Sequence, residues 1–160
     1  MKNLRICVLL LVIVAFTNMQ CEKSNTEKKD ELPAETQEGK NTFGCLVDGK
    51  VWLPKSGGTY PPLSSTMSYS IDLLALGYDS FIHFRILETE LFEGKTIPLL
   101  SNQAWMRMRS KEFKSAQGAL KISKYDKAKQ IMAGSFYFTA KSDEGDSVII
   151  KDGRFDISYH

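Results

Sequence analysis

Residues 43–53 read Phe43-Gly44-Cys45-Leu46-Val47-Asp48-Gly49-Lys50-Val51-Trp52-Leu53. Two runs of β-forming residues flank Asp48-Gly49. An Asp-Gly pair in that setting favours the two-residue hairpin turn, which needs positive φ at both central positions. The turn sets the register, with Cys45 opposite Trp52 and Leu46 opposite Val51. Pro54 ends the second strand, because its nitrogen has no hydrogen to give to a ladder. Lys55 to Leu63, with Gly57-Gly58 and Pro61-Pro62, reads as a loop.

Period-two patterning continues downstream of this hairpin. Met67, Tyr69, Ile71 and Leu73 alternate with Ser68, Ser70 and Asp72, and Ile82, Phe84 and Ile86 alternate with His83 and Arg85. Glu93-Gly94 marks a turn before Lys95 to Leu100. Trp105, Arg107 and Arg109 alternate with Ala104, Met106 and Met108. Leu120 and Ile122 mark another strand, with a turn at Tyr125-Asp126-Lys127. Met132, Gly134, Phe136, Phe138 and Ala140 form one face of a long strand, and Ser142 to Asp146 is a polar turn. Val148 to Ile150 and Phe155 to Tyr159 close the pattern, and Asp152-Gly153 between them reads equally as a hairpin turn or a glycine bulge. Lys111 to Ala119 comes nearest to a helix, but Gly118 and its weak apolar content argue against one. The expected fold class is all-β: an antiparallel β-sandwich or barrel of about eight to ten short strands.

Upstream the composition changes twice. Lys2 and Arg5 precede an apolar run of 11 residues, Ile6 to Phe16. A helix crossing a bilayer takes about 20 apolar residues, so the run reads as the core of a signal peptide. Cys21 follows at the spacing of a lipoprotein cleavage site, where its thiol would carry a diacylglyceryl group. Glu22 to Asn41 has Leu32 as its only large apolar residue. It reads as a flexible tether of roughly 25 Å end to end. The expected organisation is a signal peptide over 1–20, lipidated Cys21 and a flexible linker over 21–41, and a single all-β domain over 42–160.

Charge and cysteine usage restrict function. Removing Lys2 and Arg5 from the 21 basic residues leaves 19, against 19 acidic ones. Without a cationic surplus there is no footprint for nucleic acid, which binds by releasing counterions from phosphates, and no polybasic membrane patch. Cys7 lies within the signal segment and Cys21 at the lipidation site. Cys45 is then a lone thiol, best read as a small buried hydrophobe.

Two stretches carry a family resemblance: Leu32 to Trp52 (LPAETQEGKNTFGCLVDGKVW), and Ile131 to Ala140 (IMAGSFYFTA) followed by Val148-Ile149-Ile150 and Asp152 to Ile157 (DGRFDI). Together they resemble a family of uncharacterised lipoproteins of Bacteroidota cell envelopes. The resemblance spans most of residues 32–159, with a divergent middle. It implies lipid attachment at Cys21, a β-rich domain and an outer-membrane location facing the periplasm or the cell surface. It brings no activity and no catalytic residue.

Catalytic and metal-binding patterns are sparse. His83 and His160 are the only two histidines, fewer than the three or four ligands of a zinc site. No nucleophile elbow, Cys-x-x-Cys pair or phosphate-cradling loop is present, and neither a cofactor nor a metal is expected. Asp143, Glu144 and Asp146 flank Gly145 in a turn and read as solvated acids. The strongest binding pattern is Trp105-Met106-Arg107-Met108-Arg109. Alternation there places Trp105, Arg107 and Arg109 on one face, able to stack on a sugar or pair with an anion. Tyr60 in the Gly/Pro loop would add an aromatic edge. The competing account is a strand whose Met face packs inward and whose Arg face is merely wet. The expected function is a non-catalytic binding or interaction module, held to the membrane by its lipid and facing an envelope protein or a glycan. The alternatives are a structural lipoprotein without a small ligand, or an envelope hydrolase, which needs convergent acids or a Ser/Cys-His pair in one pocket.

Overall fold

The computed structural model describes residues 30–55 and 58–160. The signal segment, Cys21 and linker residues 22–29 lie outside the described residues. Among the described residues are ten strands: β1 (Thr42–Val47), β2 (Lys50–Trp52), β3 (Leu63–Met67), β4 (Ser70–Leu76), β5 (Ser80–Leu87), β6 (Thr96–Pro98), β7 (Ala104–Met108), β8 (Lys111–Asp126), β9 (Ile131–Lys141) and β10 (Ser147–Ser158). All pair antiparallel in one sheet, in the order β2-β1-β10-β9-β8-β7-β5-β4-β3, with β6 on the far half of β8. The β1–β2 hairpin has the expected register, Cys45 opposite Trp52 and Leu46 opposite Val51. Asp48 and Gly49 take φ of 47° and 79°, the left-handed pair that its turn requires.

The chain forms a single curled sheet, a half-barrel, rather than two stacked sheets. Curvature enters where an extra residue interrupts a ladder. Such extra residues lie in β8 at Ser115/Gln117 and Ile122/Lys124, and in β10 between Ile150 and Gly153, where the same bulge also shifts the ladder to β1 between Gly44 and Leu46. The last of these decides the open reading of Asp152-Gly153: it is a bulge inside one continuous strand. Gly153 lies against the Phe136 ring, which a Cβ there would overlap. Hydrogen bonds then draw the sheet's two edges together. Met67 N donates to His160 O at 2.8 Å and Ser65 Oγ to Ser158 O at 2.8 Å. At the β2 edge, Lys55 N donates to Leu76 O at 2.8 Å and Trp52 Nε1 to Ser80 Oγ at 3.0 Å.

Two element boundaries differ from the sequence reading. The alternating run from Met67 to Leu73 is split by a turn at Ser68-Tyr69, closed by Ser68 N donating to Ser70 O, and Tyr69 is 75% exposed. Lys111 to Ala119 is strand, because pairing with β7 and β9 on either side supplies the ladder that its own propensity does not.

The concave face is filled by side chains at alternate positions. Ile71 and Leu73 of β4, Ile82, Phe84 and Ile86 of β5, Ala104 and Met106 of β7, and Phe136 and Phe138 of β9 are all buried there. Phe84 and Phe136 form the hub, with ring centroids 4.8 Å apart, and Phe43 sits 5.1 Å from Phe136. Cys45 is buried in the same core, and burial pushes its thiol up to about 12. A thiol so far from ionisation is a poor nucleophile. In a chain beginning at Asp30, Cys45 will stay unlabelled by a thiol reagent at pH 8 until denaturant is added. Rapid labelling of the folded protein would contradict its placement.

The expectation of a flexible linker up to Asn41 does not hold for residues 30–41. They lack regular secondary structure but lie as a strap over the outer face of β1 and β10. Asp156, 1% exposed, accepts hydrogen bonds from Thr36 Oγ1 (2.6 Å) and from the backbone N–H groups of Glu38 (3.0 Å), Gly39 (2.7 Å) and Lys40 (3.3 Å). Arg154 Nη1 donates to Pro33 O at 3.2 Å, and Ser158 Oγ to Gly39 O at 3.1 Å. At the strap's first described residue, Asp30 Oδ2 meets Lys55 Nζ at 3.1 Å. The strap is held mainly through polar contacts, which is why its hydrophilic composition reads as a free tether.

Candidate ligand-binding cleft

The rim formed by the β4–β5 turn (residues 77–79) and the β7–β8 turn (residues 109–110) borders a cleft of about 550 Å³. Its lining comes from Trp52, Asp79, Ser80, Met108, Arg109, Ser110, Lys111 and Phe113. Trp52 is fixed by the Nε1 hydrogen bond to Ser80 and by an edge-on contact with Phe43, ring centroids 6.0 Å apart. Met108 and Phe113, the inward-facing residues at adjacent ends of β7 and β8, close the apolar floor.

Two cations border this floor. Arg109 takes φ of 56° in the turn, and its side chain is 90% exposed, with Nε 4.0 Å from Asp79 Oδ2. A pair so long and so exposed holds the guanidinium only weakly. Lys111 is engaged: its Nζ lies 2.5 Å from Glu144 Oε2 and 2.5 Å from Asp146 Oδ2. Hydrogen bonds to Asp146 and then Glu144 raise its pKa above the ordinary value. Two of the three turn acids of the sequence reading, Glu144 and Asp146, thus hold a lysine. Arg109 is the cation best placed to take a ligand's negative group.

The five-residue run singled out in the sequence is divided. Trp105 and Arg107 do share the outer face of β7, and Met106 is buried beneath them, so the Met face packs inward. Arg109 leaves that face because its positive φ ends the strand's alternation. Trp105 meets the His83 ring edge-on at 4.1 Å, opposite it in the ladder. Arg107 lies over the Phe81 ring at 5.2 Å and reaches Glu112 at 3.6 Å. Tyr60, 77% exposed, sits in the loop between β2 and β3 and does not line the cleft. Trp52, Met108 and Phe113 carried no sequence signal as a site, because each also fits an ordinary strand pattern.

A polar chain beside Trp105 bears on the hydrolase alternative. His83 Nε2–H donates to Asp72 Oδ1 at 3.0 Å, Arg85 Nε donates to the same oxygen at 2.8 Å, and Ser70 Oγ donates to Asp72 Oδ2 at 3.2 Å. Burial lowers the imidazole below its ordinary 6.5; Asp72 opposes that shift, and Arg85 adds to it. Nucleophile activation needs the histidine between serine and acid. Here the acid stands between, and the 1%-exposed Ser70 is hydrogen-bonded to the carboxylate instead of the imidazole. This order leaves Ser70 without an imidazole base.

No protein-family model, curated protein or solved structure matches this chain.

Proposed function

We propose that the protein is a cell-envelope lipoprotein of the Bacteroidota kind that its sequence resembles, anchored through Cys21, and that its domain is a non-catalytic binding module. The cleft over Trp52, Met108 and Phe113 carries this reading. An apolar floor with one weakly held guanidinium at the rim suits an amphipathic ligand, an apolar group below and an anionic group at Arg109. Its 550 Å³ lies within the usual range of roughly 300–1,000 Å³ for small-molecule sites.

Dodecanoate below its micelle concentration is a suitable probe for a chain beginning at Asp30, with calorimetry and tryptophan emission as readouts. Arg109→Ser will weaken binding by about fivefold, roughly 1 kcal/mol, as expected for an exposed charge-assisted contact. Met108→Ser will weaken it as well, by removing part of the floor. Unchanged affinity in both variants would place the ligand elsewhere. No binding of any amphiphile would favour a structural lipoprotein.

A further inference from the structure

We infer that the cleft-bearing rim faces the membrane and that the cleft takes its occupant from the lipid surface itself. This rests on the anchoring and binding readings above and adds an orientation to them. The strap decides where the anchor leaves the domain. Asp30 is tied to Lys55, and Lys55 N donates to Leu76 O. Leu76 is the last residue of β4, directly before the 77–79 turn, and Asp79 at the end of that turn and Ser80 at the start of β5 line the cleft. The chain toward Cys21 therefore departs beside the rim.

The reach of the anchor follows from the same contacts. With residues 30–41 bound to the barrel, only nine residue steps separate Cys21 from Asp30. That allows at most roughly 30 Å. A free linker to Asn41 would let the domain tumble in any orientation; the bound strap keeps this rim nearest the lipid. Two of the exposed aromatics lie in this region, while Tyr69, Phe92 and Tyr137 lie elsewhere. Tyr78 is in the rim turn and Tyr60 in the adjoining loop, at 76% and 77% exposure. Tyrosine is enriched at membrane interfaces, where its ring and hydroxyl meet different media. The apolar floor and Arg109 match a lipid's acyl chain and anionic headgroup.

The test uses the full lipidated protein reconstituted into phospholipid vesicles whose acyl chains carry bromine, a contact quencher of tryptophan. The chain has two tryptophans, Trp52 in the cleft and Trp105 on the outer face of β7. Trp105→Phe isolates the first and Trp52→Phe the second, and the parent protein gives the summed signal should either variant fold poorly. The expected result is loss of Trp52 emission with Trp105 emission retained. Loss at Trp105 alone would turn the outer face of β7 toward the bilayer and overturn the inference. Retention at both would turn the cleft away and overturn it too, leaving the anchoring and the dodecanoate results standing. An intact mass without acyl addition at Cys21 would overturn the anchoring reading and this inference together.

Discussion

Asp156→Ala releases residues 30–41 from the barrel and lowers folding stability by roughly 2–4 kcal/mol. The magnitude follows from what one carboxylate does. It is buried and accepts from one hydroxyl and three backbone N–H groups of the strap. Removing it leaves those donors to be resolvated, which they achieve by detaching. Two readouts separate the parts of this effect in a chain beginning at Asp30. Urea unfolding gives the stability change, and trypsin cleavage after Lys40 reports release of the strap. Asp156→Asn, which keeps the shape and loses the charge, falls between the two. An unchanged cleavage rate in Asp156→Ala would mean that Arg154, Ser158 and Lys55 hold the strap without it.

The same carboxylate gives the strap an acid limit. Burial alone would raise the Asp156 pKa, but the bonds from Thr36, Glu38, Gly39 and Lys40 together hold it below its ordinary 3.8. A depressed folded-state pKa contributes stability that is complete above the unfolded value and is lost as pH falls through the folded one. The strap should therefore stay bound across neutral and mildly acidic conditions and loosen only below pH 3.8. Trypsin does not work there, so hydrogen exchange at the Glu38, Gly39 and Lys40 amides is the measurement. In Asp156→Asn the release will not follow this titration.

Phe136→Ala costs roughly 3–5 kcal/mol, the range for emptying a large aromatic site in a packed core. Phe136 is 3% exposed, and its ring centroid lies 5.1 Å from Phe43, 4.8 Å from Phe84, 6.4 Å from Phe138 and 6.5 Å from Phe155. These rings come from β1, β5, β9 and β10, so the cavity opens where the curled sheet meets itself. Domain stability is only about 5–15 kcal/mol, so the variant could fall close to unfolding. Phe136→Leu, with a smaller loss of volume, keeps the test readable. The internal control is the next residue. Tyr137 points to the other face of β9 at 59% exposure, and Tyr137→Ser should shift stability by no more than about 0.5 kcal/mol. Equal losses at the two positions would contradict the assigned faces of β9.

The sequence by itself determined what depends on neighbours along the chain. Alternation assigned Ile82, Phe84 and Ile86 to one face of β5 and Phe136 and Phe138 to one face of β9, and Asp48-Gly49 set the first hairpin's register. A side chain's face follows from a fixed two-residue period, and a tight turn from the φ values that Asp and Gly tolerate. The all-β antiparallel class follows from these local facts. Tertiary structure decided whatever joins residues far apart. The choice of one curled sheet rests on Met67 meeting His160 and on Trp52 meeting Ser80. The strap rests on Thr36 finding Asp156, 120 positions away. Arg109 left the Trp105 face because its backbone turned to positive φ, and it joined Trp52, Met108 and Phe113 because two strand ends and a distant edge converge there. A polar segment such as residues 30–41 looks free in sequence because its own composition offers little apolar area. It is bound in the fold because one buried carboxylate satisfies its donors, and no local pattern records where that carboxylate will stand.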